Sequence, residues 1–303
     1  MDKISSANHV LNRVLILDGN SVLHRAYYAL PDWRNRFGEA TAGVYGFLSI
    51  LLKSIEDLRP THLAIVFDDP SPTFRHTMYV GYQTNREKNR QVSEDIWGQV
   101  EKLKVVFQKI GISVFQLAGF EADDVIGTIS TQCSEKSTQV IIITGDRDLM
   151  QLVNDHVNLY MSFKGISDMI IVDRDRVRVR LGIWPEQVVD YKALVGDSSD
   201  NYPGIPGIGP VTAKKLIEQY GSFENVAKKS GNRKVIDGYE SGELSKRLAT
   251  IKTDVPVTFD IAKCLVPNVS KITEIFNELG YKSLIKRVGV KSTDEDSSRP
   301  RLF

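Results

Sequence analysis

Four short apolar, largely β-branched runs constrain this chain more than any other feature. They are "VLILDG" (14–19), "HLAIVFDD" (62–69), "ISVFQLAG" (112–119) and "QVIIITGD" (139–146). Runs that are apolar at successive positions predict strands covered on both faces, as in a parallel sheet. Helix-period segments lie between them. From Glu94 onward, Ile96, Val100, Leu103, Phe107 and Ile110 recur at steps of three and four, a stripe that faces a core. Strands alternating with helices predict an α/β sheet. From about Tyr191 the strand pattern stops and short helices take over.

Three of these runs end in carboxylates: Asp18, the pair Asp68 and Asp69, and Asp146 with Asp148 two residues on. The fourth leads into "FEADD", with Glu121, Asp123 and Asp124. Ligands of open α/β sheets bind outside the carboxyl ends of the strands, so this topology gathers the acids on one rim. Taken singly, each acid is also a plausible helix N-cap or a complement to a helix dipole. Taken together, they repel and raise one another's pKa, and need positive charge among them. These loops hold no matching set of lysines or histidines, so a divalent cation is the expected partner. Oxygen-only ligands favour Mg²⁺ or Mn²⁺ over zinc. So many acids imply two ions, and two ions about 4 Å apart suit in-line phosphodiester hydrolysis.

Composition sets few further limits. The chain has 303 residues, a formal net charge of +1 and 25% charged residues. Such a balance argues neither for nor against nucleic acid, because the arrangement of charge matters more than its sum. The two cysteines, Cys133 and Cys264, are far apart and fit a reduced, intracellular protein. No run approaches the ~18 apolar residues of a membrane span, and "MDKISSANHVLNR" is not a signal peptide; a cytoplasmic location is expected.

A second chemistry follows Tyr191. "GDSSDNYPGIPGIGP" (196–210) joins two carboxylates, Asp197 and Asp200, to a glycine turn. Gly207 and Gly209 permit a tight turn, Pro210 suits a first helical turn, and Lys214 and Lys215 follow. Free amides at that helix start favour an anion, and would hold a phosphate without reading bases. The pattern predicts a helix-hairpin-helix that binds DNA backbone. A third region, "TFRHTMYVGYQTNREKNR" (73–90), interleaves Arg75, Arg86, Lys88 and Arg90 with aromatics, a composition suited to single strands or simply to a solvated loop.

These motifs, with "LDGNSVLHRAYYAL", "VFDDPSPTFRH", "GFEADDVIG" and "TGDRDLMQLV", stand in a familiar order. From about Arg13 to about Val288 the chain resembles the 5′-nuclease (flap endonuclease) family, most closely the 5′→3′ exonuclease domain of bacterial DNA polymerase I. The resemblance implies a PIN-like sheet core over 1–190, a helical arch at about 73–93, and a helical DNA-binding region over 191–288. Within the last, a helix–three-turn–helix element spans about 196–221; the tail 289–303 is expected to be disordered. It implies metal ligands at Asp18, Asp68, Glu121, Asp123, Asp124 and Asp146 for a first ion, and Asp148, Asp197 and Asp200 for a second. It also implies DNA contacts at Arg25, Gly204, Gly207, Ile208, Gly209, Thr212, Lys214 and Lys215, with K⁺ at the hairpin. Arg75, Tyr82 and Arg86 match arch residues that place the scissile phosphate. Gln83 stands where the family has lysine; it can hydrogen-bond a phosphate but adds no charge.

The implied activity is metal-dependent cleavage of 5′ flaps, nicks or ends in DNA, or in RNA/DNA flaps, by a monomer acting in replication and repair. A junction-binding protein with weakened catalysis and a PIN-type ribonuclease are the competing readings. The terminal "RPRLF" resembles short peptides that bind the sliding clamp, without their glutamine.

Overall fold

The computed structural model describes residues 12–35, 37–84, 90–134, 138–162 and 168–288. The first part of the chain forms β1 (Arg13–Asp18), α1 (Gly19–Ala29), α2 (Ala42–Leu58), β2 (His62–Val66), α3 (Phe74–Met78) and α4 (Arg90–Ile110). It continues through β3 (Ser113–Phe115), α5 (Ala122–Ser134), β4 (Gln139–Ile143), β5 (Val157–Ser162) and β6 (Met169–Val172). Helices α6 (Arg174–Leu181), α7 (Val188–Val195), α8 (Pro210–Tyr220), α9 (Phe223–Lys229), α10 (Arg233–Asp237), α11 (Tyr239–Ala249), α12 (Val269–Glu278) and α13 (Lys282–Val288) follow.

The strands lie in the order β3-β2-β1-β4-β5-β6. All pairs are parallel except β5 with β6. Alternate side chains serve opposite faces. Leu15, Leu17, Leu63, Ile65, Ile141 and Ile143 pack with Phe47 of α2 and Phe107 of α4. Val14, Ile16, Val66, Val140 and Ile142 pack with Val125, Ile126 and Ile129 of α5. Burial of both faces is why these runs are apolar at every position. The stripe from Ile96 to Ile110 lies on α4 and is buried as its spacing predicts.

Two strands exceed the sequence expectation. β5 carries Asn158 and Ser162 within it, and β6 is a four-residue edge, so neither reads as a continuous apolar run. The C-terminal helices also divide between the two faces. Ala213 and Ile217 of α8 and Phe223 of α9 continue the α5-side core. Ile272 and Phe276 of α12 and Leu284 of α13 join the opposite core, beside α4. The chain crosses between them beside β2, where Leu63 N–H donates to Cys264 O at 2.7 Å and Val266 N–H to Thr61 O at 3.1 Å. The expected arch comprises α3, a turn over 79–84 and the start of α4; residues 85–89, including Arg86 and Lys88, lie outside the described residues. So does the tail 289–303. Among the described residues, no helix is long and apolar enough to cross a membrane.

One close approach fixes the link between α7 and α8. Gly196 has φ +73° and Gly204 has φ +62°. A Cβ on Gly204 would sit 2.2 Å from Gly196 N, and one on Gly196 would sit 2.5 Å from Gly204 N. Gly204 is further held by Ser245 Oγ, which accepts from its N–H at 3.0 Å, and by Ser241 Oγ, which donates to its carbonyl at 2.6 Å. Gly209 has open space around its missing Cβ. Gly204→Ala should therefore lose about 3 kcal/mol of stability in urea unfolding, through left-handed strain plus a backbone clash. Gly209→Ala should stay within about 0.5 kcal/mol of wild type. Equal effects at the two glycines would contradict the pinch.

Candidate metal centre and nucleic-acid interface

The carboxyl ends of β1, β2 and β4 and the N-terminus of α5 meet at one rim, as parallel pairing requires. Asp18 is buried at the end of β1 and caps α1, accepting from Ser21 N–H at 3.0 Å. Its other oxygen accepts from Thr144 Oγ1 at 2.7 Å, and that hydroxyl accepts from Asp146 N–H at 2.8 Å. Asp146 Oδ1 in turn accepts from Asp148 N–H at 2.8 Å. Asp68 Oδ1 accepts from Ala122 N–H at 2.8 Å, which joins β2 to the start of α5. Helix capping and clustering are thus the same placement, because a strand end that turns into a helix sits on the rim.

The acids feel one another's charge. Burial raises Asp18 to about 7; the bonds from Thr144 and Ser21 oppose this, while Asp146 and Asp68 reinforce it. Burial likewise brings Glu121 to about 7, against Arg75 and with Asp68 and Asp200. Asp123 is pushed well above its ordinary value by burial and by Asp146, Asp18, Glu121 and Asp68. Five of the six acids expected around a first ion therefore lie near enough on the rim to act on one another's charge.

The sixth departs from expectation, with a partner. Asp124 receives Arg75 Nη1 at 2.7 Å and Nη2 at 2.9 Å, Glu121 N–H at 3.2 Å and Lys252 N–H at 2.8 Å. Four donors fill the lone pairs of a carboxylate, leaving none for a metal. Arg75 also donates to Leu248 O and Thr250 O, and only 2% of it is exposed. It is a strut tying α3 to α5 and to the end of α11, not a group presented to a phosphate. Sequence could not separate these roles, since an arginine near acids reads alike in both.

The second group of acids is compact. Asp148, Asp197 and Asp200 offer carboxylate oxygens that all lie within 4.8 Å of one another. Lys192, on α7, donates to both Asp148 and Asp197. Burial works to lower the Lys192 pKa, but Asp148 and Asp197 outweigh it and hold the ammonium charged. Burial raises Asp148 to about 7 despite Lys192. Asp197 is held below its ordinary value, because Lys192 and Ser199 overcome burial. Lys192 escapes sequence reading; the one available signal is its position a helical turn before Gly196, as the one cation of its helix.

The turn over 79–84 clasps the Asp197–Asp200 loop. Gln83 N–H donates to Asp200 O at 2.9 Å and its side chain to Asp200 Oδ1 at 3.2 Å. Asn201 Nδ2 donates to Gly81 O at 2.8 Å and to Thr84 Oγ1 at 2.9 Å. Tyr82 OH lies 3.2 Å from Glu121 Oε2 and 3.4 Å from Asp200 Oδ2. Gln83, expected to face a phosphate, here turns its amide onto a carboxylate, and its φ of +55° is part of that turn.

Across the Gly196–Gly204 pinch, Ile205 and Ile208 anchor the hairpin in the core. Gly207, Gly209 and Thr212 are exposed, as is Lys215; Lys214 is half-buried, its stem against Gly182. The N-terminus of α8 has no side-chain cap, so its first amides are open to an anion. Half-buried Arg25 leans over Gly145 beside Asp18, where burial lowers its pKa against the pull of that carboxylate.

This pairing of an acid rim with a helical hairpin has relatives. Residues 13–182 match the family described as 5′-3′ exonuclease, N-terminal resolvase-like domain, and residues 183–271 match 5′-3′ exonuclease, C-terminal SAM fold. The chain belongs to the 5′-3′ exonuclease family. It is 35% identical over 297 residues to DNA polymerase I of Bacillus subtilis, covering 95% of this chain and 33% of that protein. DNA polymerase I of Bacillus caldotenax is 36% identical over 299 residues, with 96% and 34% covered. The chain spans about a third of the length of these curated relatives. Bacteriophage T5 D15 flap endonuclease, solved as a D155K complex with DNA and metal ions, shares the fold at TM-score 0.64 and 18% identity, covering 91% of this chain and 97% of that one. The catalytic core of Rad2 with DNA substrate shares it at TM-score 0.59 and 15% identity, covering 92% of each.

Two expectations follow from the geometry. Arg75→Met strands the Asp124 charge and should cost about 3–5 kcal/mol in urea unfolding; unchanged stability with lost cleavage would return Arg75 to a phosphate-binding role. The raised acids bind protons in the fold that the unfolded chain has released. Their contribution is present below about pH 4 and is lost as pH rises toward 7. In chelator, thermal stability should thus fall from about pH 4 to about pH 7 and level off above, and excess Mg²⁺ at pH 7 should restore it. A flat profile in chelator would count against the cluster.

Proposed function

We propose that this chain is a structure-specific 5′ nuclease that hydrolyses phosphodiesters of branched or 5′-ended DNA with two divalent cations. The observation that carries the reading is the convergence of acids from three strand ends, the α5 start and the 197–200 loop on one rim, in a chain of this family. The donor set fits the cations: it is oxygen-only, crowded and raised in pKa by burial first and by mutual repulsion second, and divalent charge would relieve the repulsion. Asp18, Asp68, Glu121, Asp123 and Asp146 would hold the first ion, and Asp148, Asp197 and Asp200 the second. When bound, Mg²⁺ or Mn²⁺ lowers the pKa of a water and offsets charge on the phosphate.

The chain's own residues do the rest. The α8 amides, with Lys214, Lys215 and the turn at Gly204, Gly207, Ile208 and Gly209, hold a duplex phosphate without reading sequence; Thr212 and a K⁺ ion belong to the same grip. Tyr82 fixes Glu121 and Asp200, and Arg25 stands beside Asp18 as a cation for the cleaved strand. Arg86 is assigned to the strand at the arch by resemblance alone. The reading includes a monomeric, cytoplasmic protein that removes flaps during replication and repair; clamp binding by the tail rests on "RPRLF" alone.

A 5′-end-labelled flap incubated with Mg²⁺ should release a short labelled product from the 5′ side, and none in excess EDTA. Asp146→Asn should cut more than about a hundredfold more slowly while still retarding the flap in a binding assay. Wild-type protein that binds flaps without cutting would favour the junction-binding reading, and cleavage of RNA alone the ribonuclease reading.

A further inference from the structure

The loop between the second-site acids closes on itself. Asp197 N–H donates to Tyr202 O at 2.9 Å, and Tyr202 N–H donates to Asp197 O at 3.0 Å. Residues that exchange both bonds stand directly opposite, with side chains on the same face. Tyr202 is therefore directed by backbone pairing to the side where Asp197 presents its carboxylate. The groups whose charge its phenol senses agree with this: Lys192, Asp148, Asp197 and Asp200. Its ring stacks on Tyr82, centroids 6.5 Å apart and planes 14° apart.

These two neighbouring phenols differ in one respect. Tyr82 OH bonds to Glu121 and Asp200. Tyr202 is 3% exposed, and among the described residues its hydroxyl has no hydrogen-bond partner. An unpaired buried hydroxyl costs free energy that phenylalanine in the same place would not. On the side of the loop where three carboxylates gather, none of the described residues meets this hydroxyl with a hydrogen bond.

We propose that Tyr202 is a positioning residue for the second cation: its hydroxyl pairs with a water in the shell of an ion held by Asp148, Asp197 and Asp200. This rests on the two-cation reading above. The hydroxyl adds no ligand. It orients a coordinated water and excludes bulk water through its ring, and the clasp of Gln83 on Asp200 and of Asn201 on Gly81 holds the loop in register for it. Neutral Gln83 suits that role, since it fixes Asp200 without contributing a cation that competes for the carboxylate.

The test separates function from structure by sign. Wild type and Tyr202→Phe are titrated calorimetrically with Mn²⁺, and both are unfolded in urea with chelator. The variant should bind the first ion as wild type does and the second about tenfold more weakly. Without metal it should be at least as stable as wild type, because an unpaired buried group is gone. Unchanged second-ion affinity, or a loss of affinity that tracks a loss of metal-free stability, overturns the proposal, as does a wild type that takes up one ion only. Asn201→Gly keeps the left-handed backbone at φ +58° and removes the clasp; it should weaken the second ion alone, and an equal loss at both ions would also overturn it. Flap cleavage by wild type is scored in parallel: its absence refutes the nuclease reading, whereas cleavage with Tyr202→Phe binding two ions normally refutes only this one.

Discussion

Repulsion among carboxylates is the constraint around which this molecule is arranged. A parallel sheet delivers Asp18, Asp68 and Asp146 to one edge whatever their chemistry, and α5 adds Glu121 and Asp123. Left alone, such a group would push the strand ends apart. The fold answers with two internal cations and a web of donors. Arg75 occupies Asp124 and lies near Glu121; Lys192 spans Asp148 and Asp197. Backbone amides and Thr144 take up further lone pairs. What stays uncompensated faces the rim, where a divalent ion would enter.

Those two cations are not alike. Arg75 has its guanidinium saturated and is walled in by α3, α5 and the end of α11, so it is permanent. Lys192 is a single ammonium on a flexible stem, shared between two carboxylates that a metal at the proposed second site would also need. One stabilises the scaffold in every state. The other offsets negative charge where an ion would bind, and can be displaced.

Much of this was legible in the sequence, and the limits of legibility are physical. Strands buried on both faces write themselves as unbroken apolar runs, which is why β1, β2 and β4 stood out and the mixed β5 and the short edge β6 did not. Acids at strand ends could be placed on one rim because parallel topology leaves them nowhere else. Residues whose meaning depends on a partner distant in sequence were hidden. Arg75 meets Leu248 and Thr250, more than 170 positions away, and no local pattern announces that. Lys192 carries no motif, and Tyr202 lies within the 196–210 motif without a chemical signature of its own; their placement comes from a helix end and a six-residue loop folding back beside Asp148. The return of α12 and α13 to the sheet was likewise invisible, because an amphipathic stripe shows that a helix packs and not against what.

The pinch between Gly196 and Gly204 has a mechanical consequence. Two backbones in contact, each at a glycine that admits no side chain, leave no slack between the acid loop and the hairpin. A load applied at the exposed turn passes undamped into Asp197 and Asp200, as through a rivet and not a hinge. Insertions that most surface loops absorb would here dislocate one end from the other. The segment is therefore inelastic by construction, and the spacing between its two ends is inherited as a fixed length.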